Sequence, residues 1–150
     1  MNAISEGTFQ LVVFAQGDGE WGIPISRVQE IIRYSAPRRL PDAPPSIEGV
    51  IDLRGRIVPV VDLRARFGLP DERPDDSKIV VVEVGDDVMG IIVDEVAEVL
   101  TVGTDRAETP PPIAASGAPY LESVIKVDER LLVVVDVEKL LGAELAAIAA

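Results

Sequence analysis

Neither cysteine nor histidine occurs among the 150 residues. The first absence excludes thiol nucleophiles, cysteine metal sites and disulfides, and suits a cytosolic protein. The second removes the commonest general base and the commonest metal ligand, so no serine has an imidazole to activate it. Aromatic residues make up only 4% of the chain, with a single tryptophan, which leaves little material for an aromatic-lined ligand pocket. Positive charge is also scarce: 14 Lys and Arg stand against 26 Asp and Glu, a net charge of −12. Nucleic-acid phosphates would repel such a chain, and its one basic cluster, Arg33, Arg38 and Arg39, lacks interleaved aromatics. No apolar run approaches the ~20 residues of a membrane-spanning helix, and the opening MNAISEGTFQ has no signal-peptide pattern. We therefore expect no nucleic-acid partner, no cofactor or metal, and no direct membrane insertion.

What the chain does contain is a repeat. EGVIDLRGRIVPVVDLRARFG from Glu48 matches ESVIKVDERLLVVVDVEKLLG from Glu122, 74 positions on. Upstream, EWGIPISRVQEII around Trp21 matches VMGIIVDEVAEVL around Met89, with Gly22 on Gly90, Val28 on Val96 and Glu30 on Glu98, each 68 positions on. Two long units in one order indicate two copies of a small module, since solenoid repeats are shorter and need more copies to bury a core. The halves span 9–68 and 78–142, joined by the charged, proline-containing linker 69–77 and followed by an alanine-rich tail or helix end at 143–150.

Each half opens with a strand pair: Phe9 to Ala15 with Trp21 to Ile25, and Ile79 to Val84 with Val88 to Val93. β-Branched residues dominate these runs, and Gly-Asp turns separate them. A short helix is expected next. Ser26 and Gln29 fit a capping box ahead of an apolar stripe of Val28, Ile31 and Ile32, while Asp94 precedes the matching Val96, Val99 and Leu100. Proline-rich connections follow, at Pro37 to Pro45 and Pro110 to Pro119. Each half then closes with two strands, IEGVIDL and RIVPVVD in the first, YLESVIKV and RLLVVVD in the second. Asp62 and Asp136 are placed to cap short terminal helices ending at Gly68 and Gly142. Short strands, tight turns and the need to hide sheet edges suggest two small, strongly curved β-barrels.

Carboxylate pairs could support acid–base chemistry, but Asp86-Asp87 falls in a hairpin turn, Asp75-Asp76 in the linker, and Glu95 with Glu98 beside an apolar stripe. Nothing reads as an active site. Arg54 stands out instead, because Asp52-Leu53-Arg54-Gly55 joins two strands and would project a long cation outward. Its counterpart in the second copy is Asp128, from which the fold is expected not to demand that charge.

The chain resembles the CheW family of coupling proteins from bacterial chemosensory arrays. The resemblance runs through Trp21-Gly22-Ile23-Pro24-Ile25, Val28-Gln29-Glu30-Ile31-Ile32, Gly49-Val50-Ile51 and Leu53-Arg54-Gly55. It continues in Ile57-Val58-Pro59-Val60-Val61-Asp62-Leu63-Arg64, Gly90-Ile91-Ile92-Val93-Asp94 and Glu138-Lys139-Leu140-Leu141. It implies a mainly β fold of two pseudo-duplicated, SH3-like five-stranded β-barrels with short helices, the whole of 1–150 forming one such domain. It also implies a non-enzymatic cytoplasmic adaptor that couples the tip of a methyl-accepting receptor to the regulatory domain of the CheA histidine kinase. Carried over by position, Val28, Glu30, Gly49 and Arg54 would lie on or near the receptor-facing surface. Asp52 replaces the family's usual asparagine and Ser123 a frequent glycine. The free-standing coupling protein is the closer likeness, as opposed to CheV or CheA. The alternative is a small-ligand-binding β-barrel protein that uses the cleft between the barrels.

Overall fold

The computed structural model describes residues 7–17, 19–43, 47–66, 74–75, 77–110 and 120–142. The apolar runs form strands where the sequence places them. β1 (Thr8–Gln16) and β2 (Gly19–Pro24) make the first hairpin, and β6 (Lys78–Val84) and β7 (Asp87–Val93) its counterpart. β4 (Ile47–Leu53) pairs with β5 (Arg56–Asp62), and β10 (Leu121–Val127) with β11 (Arg130–Val135). After β5 comes α1 (Leu63–Arg66), and after β11 comes α2 (residues 137–142). The aspartate caps form as expected: Asp62 Oδ1 accepts from the Arg64 N–H at 2.9 Å, and Asp136 Oδ1 from those of Glu138 and Lys139 at 3.0 and 3.2 Å. Gly68, residues 69–73 of the linker, most of the second proline connection and the 143–150 tail lie outside the described residues.

The expected helices after each hairpin do not form. Ile25–Arg27 is a single 3-10 turn without a side-chain cap, and Val28 begins strand β3 (Val28–Arg33). In the second copy Glu95–Gly103 is strand β8, and Asp94 caps no helix. The apolar spacing that suggests a helix has another cause. Val28, Glu30 and Ile32 are half-buried on one face of β3, while Ile31 is an exposed apolar residue on the other. Val99 holds the equivalent outward-facing position of β8. One outward isoleucine or valine converts a period of two into an apparent i, i+3, i+4 stripe.

The sheets show what the repeat does in space. One runs β8-β1-β2-β11-β10-β9, where β9 is only Ala107–Glu108, and the other runs β3-β6-β7-β5-β4. The first hairpin of each half therefore sits in the middle of the other half's sheet. The halves 9–68 and 78–142 do not each close a barrel of their own; they exchange hairpins. The exchange is sealed by two equivalent parallel pairings, β2 with β11 and β5 with β7.

This exchange explains why LVVF and IVVV are continuous apolar runs: the central strands are buried on both faces. Leu11 and Val13 point into one barrel with Val102, Ile125, Leu132 and Val134, and Ile79 and Val81 into the other with Val58, Val60, Val88 and Ile92. Phe14, Val80 and Val82 turn the other way, into a third core between the barrels with Met89, Ile91, Val135, Leu140 and Leu141.

Gly22 and Gly90 hold equivalent places in the central hairpins, and packing accounts for both. A Cβ at Gly90 would stand 2.9 Å from Ile79 Cγ2 and 3.3 Å from Val60 Cγ2, both in a filled core, whereas one at Gly22 would meet Leu11 Cδ1 at 3.3 Å. We expect Gly90→Ala to destabilise by about 1–3 kcal/mol, the usual cost of overpacking, and Gly22→Ala by less. Urea unfolding of both variants checks the order; equal midpoints would contradict it.

Candidate functional site

Arg54 lies in the turn between β4 and β5, which the Asp52 carboxylate organises by accepting the Gly55 N–H at 2.7 Å. An asparagine could accept the same bond through its carbonyl oxygen, so Asp52 leaves the turn intact and changes only its charge. Arg54 itself has φ 52°, in the left-handed region that non-glycine residues rarely occupy. Asp128, at the equivalent turn position, has φ 55°. A β-carbon in this region costs roughly 1 kcal/mol or more, and aspartate tolerates it better than arginine.

The Arg54 guanidinium reaches Glu30 on β3 as a two-pronged ion pair, with Nη1 donating to Oε1 at 3.1 Å and Nη2 to Oε2. Strands β3 and β4 are the opposite edges of their sheet, so the pair spans the mouth of the barrel. The arginine side chain is 71% exposed and that of Glu30 26%. An exposed pair of this kind adds little to stability, because solvent screens it and two long side chains must be held still. The Arg54 hydrogen bond and charge hold the Glu30 carboxyl below its ordinary pKa, against a smaller opposing effect of desolvation, and Glu30 in turn raises that of Arg54.

The other two sequence-selected residues sit differently. Val28 is half-buried against the core between the barrels. Gly49 is buried on β4 with φ 154°, beside a shift in the β4–β5 register, and a Cβ there would overlap the Arg38 carbonyl oxygen. That carbonyl accepts the Val50 N–H at 2.8 Å, and the Arg38 N–H donates back to Val50 at 2.8 Å. Gly49 thus lets the proline-rich connection lie on β4, which is a backbone role.

The second copy corrects one expectation. Although Asp128 replaces Arg54, a cation still reaches the equivalent glutamate. Arg130, two residues on, donates to Glu98 at 3.0 Å and lies 3.3 Å from Glu20 on β2. Both barrels thus carry a Glu–Arg bridge, built from non-equivalent arginines, and alignment of the repeat alone conceals it. Also unforeseen are exposed apolar residues at matched sites: Ile57 and Leu131, 62% and 56% exposed, and Ile31 and Val99.

The carboxylate pairs gather no chemistry. Asp86 and Asp87 are exposed at the β6–β7 turn, Glu95 and Glu98 point to opposite faces of β8, and Asp76 lies outside the described residues. The space between the sheets is filled by the central core. A depression at its margin of about 140 Å³ is lined by Ser26, Arg27, Glu122, Asp136 and neighbouring apolar residues, smaller and more polar than ligand pockets of ~300–1,000 Å³. Among the described residues no group of three or more Asp and Glu could hold a metal ion, and no helix is long and apolar enough to cross a membrane.

Because the folded pKa of Glu30 is depressed, its ion pair stabilises the fold above the ordinary carboxylate range and is lost as pH falls through the lowered value. A carboxyl ¹³C NMR titration should place the Glu30 midpoint below that of a solvated glutamate. Arg54→Ala should return it to the ordinary range; a midpoint that does not move would show that the pair is not formed in solution.

Comparison with known proteins agrees with this architecture. The family model described as CheW-like domain matches residues 10–145. The chain is 39% identical over 137 residues to the chemotaxis protein CheW of Klebsiella aerogenes, covering 90% of this chain and 82% of that protein. It is 34% identical over 148 residues to the chemotaxis protein CheW of Treponema pallidum, covering 95% and 87%. The crystal structure of scaffolding protein TtCheW from Thermoanaerobacter tengcongensis superposes with a TM-score of 0.83 at 33% identity, covering 88% of this chain and 91% of that one. The present fold agrees with it in being mainly β, and its two sheets fit two SH3-like barrels. From residue 10 to residue 145, this chain belongs to the CheW-like family.

Proposed function

We propose that the chain is a non-enzymatic cytoplasmic adaptor that couples the tip of a methyl-accepting receptor to the regulatory domain of a CheA-type kinase. The observation that carries this reading is Arg54: a 71% exposed arginine at positive φ, aligned by Glu30 from another strand. The equivalent turn has the same left-handed backbone at Asp128, so what sets this turn apart is the ordered, exposed guanidinium, a feature of a recognition site more than of a fold determinant. The receptor surface comprises Glu30 and Arg54, with Val28 and Gly49 shaping the backbone and core beneath them. The kinase domain docks away from it, on barrel ends that carry exposed apolar residues such as Leu131 and Val99. The shared core holds the two surfaces in fixed relation, as a scaffold requires. The filled space between the barrels favours this reading over small-molecule binding.

Arg54→Asn separates the roles, because asparagine tolerates the left-handed backbone better than arginine. Unfolding stability should change by no more than about 1 kcal/mol, while receptor-tip affinity falls by about 2 kcal/mol or more, the usual loss when a charged donor leaves an interface. Kinase-domain affinity should hold. Titrations against each partner check this; equal losses for both would mean one shared surface, and no loss for either would remove Arg54 from the receptor site.

A further inference from the structure

The exchanged hairpins raise a question of pairing. The two hairpins share a similar run of buried apolar residues, so each is a candidate filling for either sheet or for the sheet of another copy. The residues at the two crossovers from hairpin to third strand answer it.

At the first junction Asp94, 7% exposed, immediately precedes β8, and its N–H reaches the Ala15 carbonyl near the end of β1 at 3.2 Å. Its carboxylate accepts from Arg64 Nε at 2.8 Å and Arg64 Nη2 at 2.6 Å, from the Gly17 N–H at 2.9 Å and from Gln16 Nε2 at 3.4 Å. The Asp94 N–H donates to Gln16 Oε1 at 3.1 Å. Here hairpin and terminal helix come from the first half, and the third strand from the second. At the equivalent junction the positions of Asp94 and Glu95 are held by Ser26 and Arg27, that of Arg64 by Glu138, and that of Gln16 by Val84. Arg27 Nη2 lies 3.4 Å from Glu138 Oε1. The polarity is reversed: a helix cation meets a crossover anion at one junction, a helix anion meets a crossover cation at the other.

We infer that these reversed junctions are a recognition code by which each half accepts the hairpin and helix of the other and rejects its own. A pair of first halves would set Arg64 against Ser26 and Arg27, with no carboxylate for Gln16 and the Gly17 N–H. A pair of second halves would set Glu138 against Asp94 and Glu95, beside an apolar Val84. At the largely buried Asp94 junction an unpaired charge is a repulsive element of specificity, while the exposed Arg27–Glu138 junction contributes less. Net charge acts in the same direction. Residues 9–68 carry eight basic and seven acidic side chains, a net of +1, whereas 78–142 carry five and thirteen, a net of −8. Two second halves repel at long range; a mixed pair does not.

The test starts from the full chain, with a protease site introduced between Gly68 and Pro74. After cleavage of the folded protein, unfolding in urea and dilution, native mass spectrometry counts the mixed pair and the two homotypic pairs. The mixed pair should exceed each homotypic pair by more than about tenfold, the factor set by each ~1.4 kcal/mol of preference. Second-half pairs should gain when added salt shortens the range of repulsion to below about 10 Å. The double change Asp94→Ser, Glu95→Arg rebuilds the Arg27–Glu138 junction between two second halves, and should raise that homotypic pair at the expense of the mixed one. A statistical mixture from the unsubstituted chain would overturn the inference. So would separation without mixed reassembly, or a double variant whose second halves stay unpaired.

Discussion

Everything in this fold hangs on the burial of two hairpins on both faces. β1–β2 and β6–β7 each lie at the centre of a sheet, with one face in a barrel and the other against the neighbouring barrel. A side chain such as Phe14 or Met89 is thereby enclosed by residues from both halves of the chain. Neither sheet is complete without strands from the distant half, so the barrels fold together. The parallel pairings of β2 with β11 and β5 with β7 extend this into the hydrogen-bond ladder, where ordinary hairpins would give only antiparallel neighbours.

That interlock frees the outer faces from a structural burden. The largest cost of changing a residue falls in the three cores, where close packing leaves little room for a methyl group. Outside them the copies have diverged at matched positions: Arg54 against Asp128, Gly49 against Ser123, Arg64 against Glu138. A duplicated scaffold with different exteriors presents two distinct surfaces held at a fixed relation, and an adaptor needs little more. The Glu–Arg bridges across the barrel mouths show both constancy and change. Glu30 and Glu98 are equivalent, but Arg54 reaches its partner from the β4–β5 turn and Arg130 from the start of β11, and so they expose their guanidinium groups differently.

Much of the fold was legible in the sequence because its signals are local. β-Branched runs, Gly-Asp turns and aspartates two residues before a free N–H act over a few positions, and the strand limits and both caps follow from them. The repeat disclosed the duplication, and the resemblance pointed to Glu30 and Arg54 as neighbours of one surface. The helix expected at Val28 failed because Ile31 and Val99 face outward, and one-dimensional periodicity cannot tell an exposed isoleucine from a buried one. What Gly49 does locally is not legible in the sequence, because the Arg38 carbonyl that its missing side chain admits comes from a connection eleven residues away.

The sequence by itself determined the elements, their order, their twofold repetition and the lack of thiol or imidazole chemistry, since these depend on residue identity and spacing alone. Only the tertiary structure decided which half's hairpin enters which sheet, which arginine reaches Glu98, and that Asp94 binds Arg64 instead of capping a helix. Two hairpins with one apolar pattern satisfy either sheet equally well at the level of local propensity. The choice between them is made by contacts across tens of residues, in the shared core and at the charged junctions, where no local rule reaches.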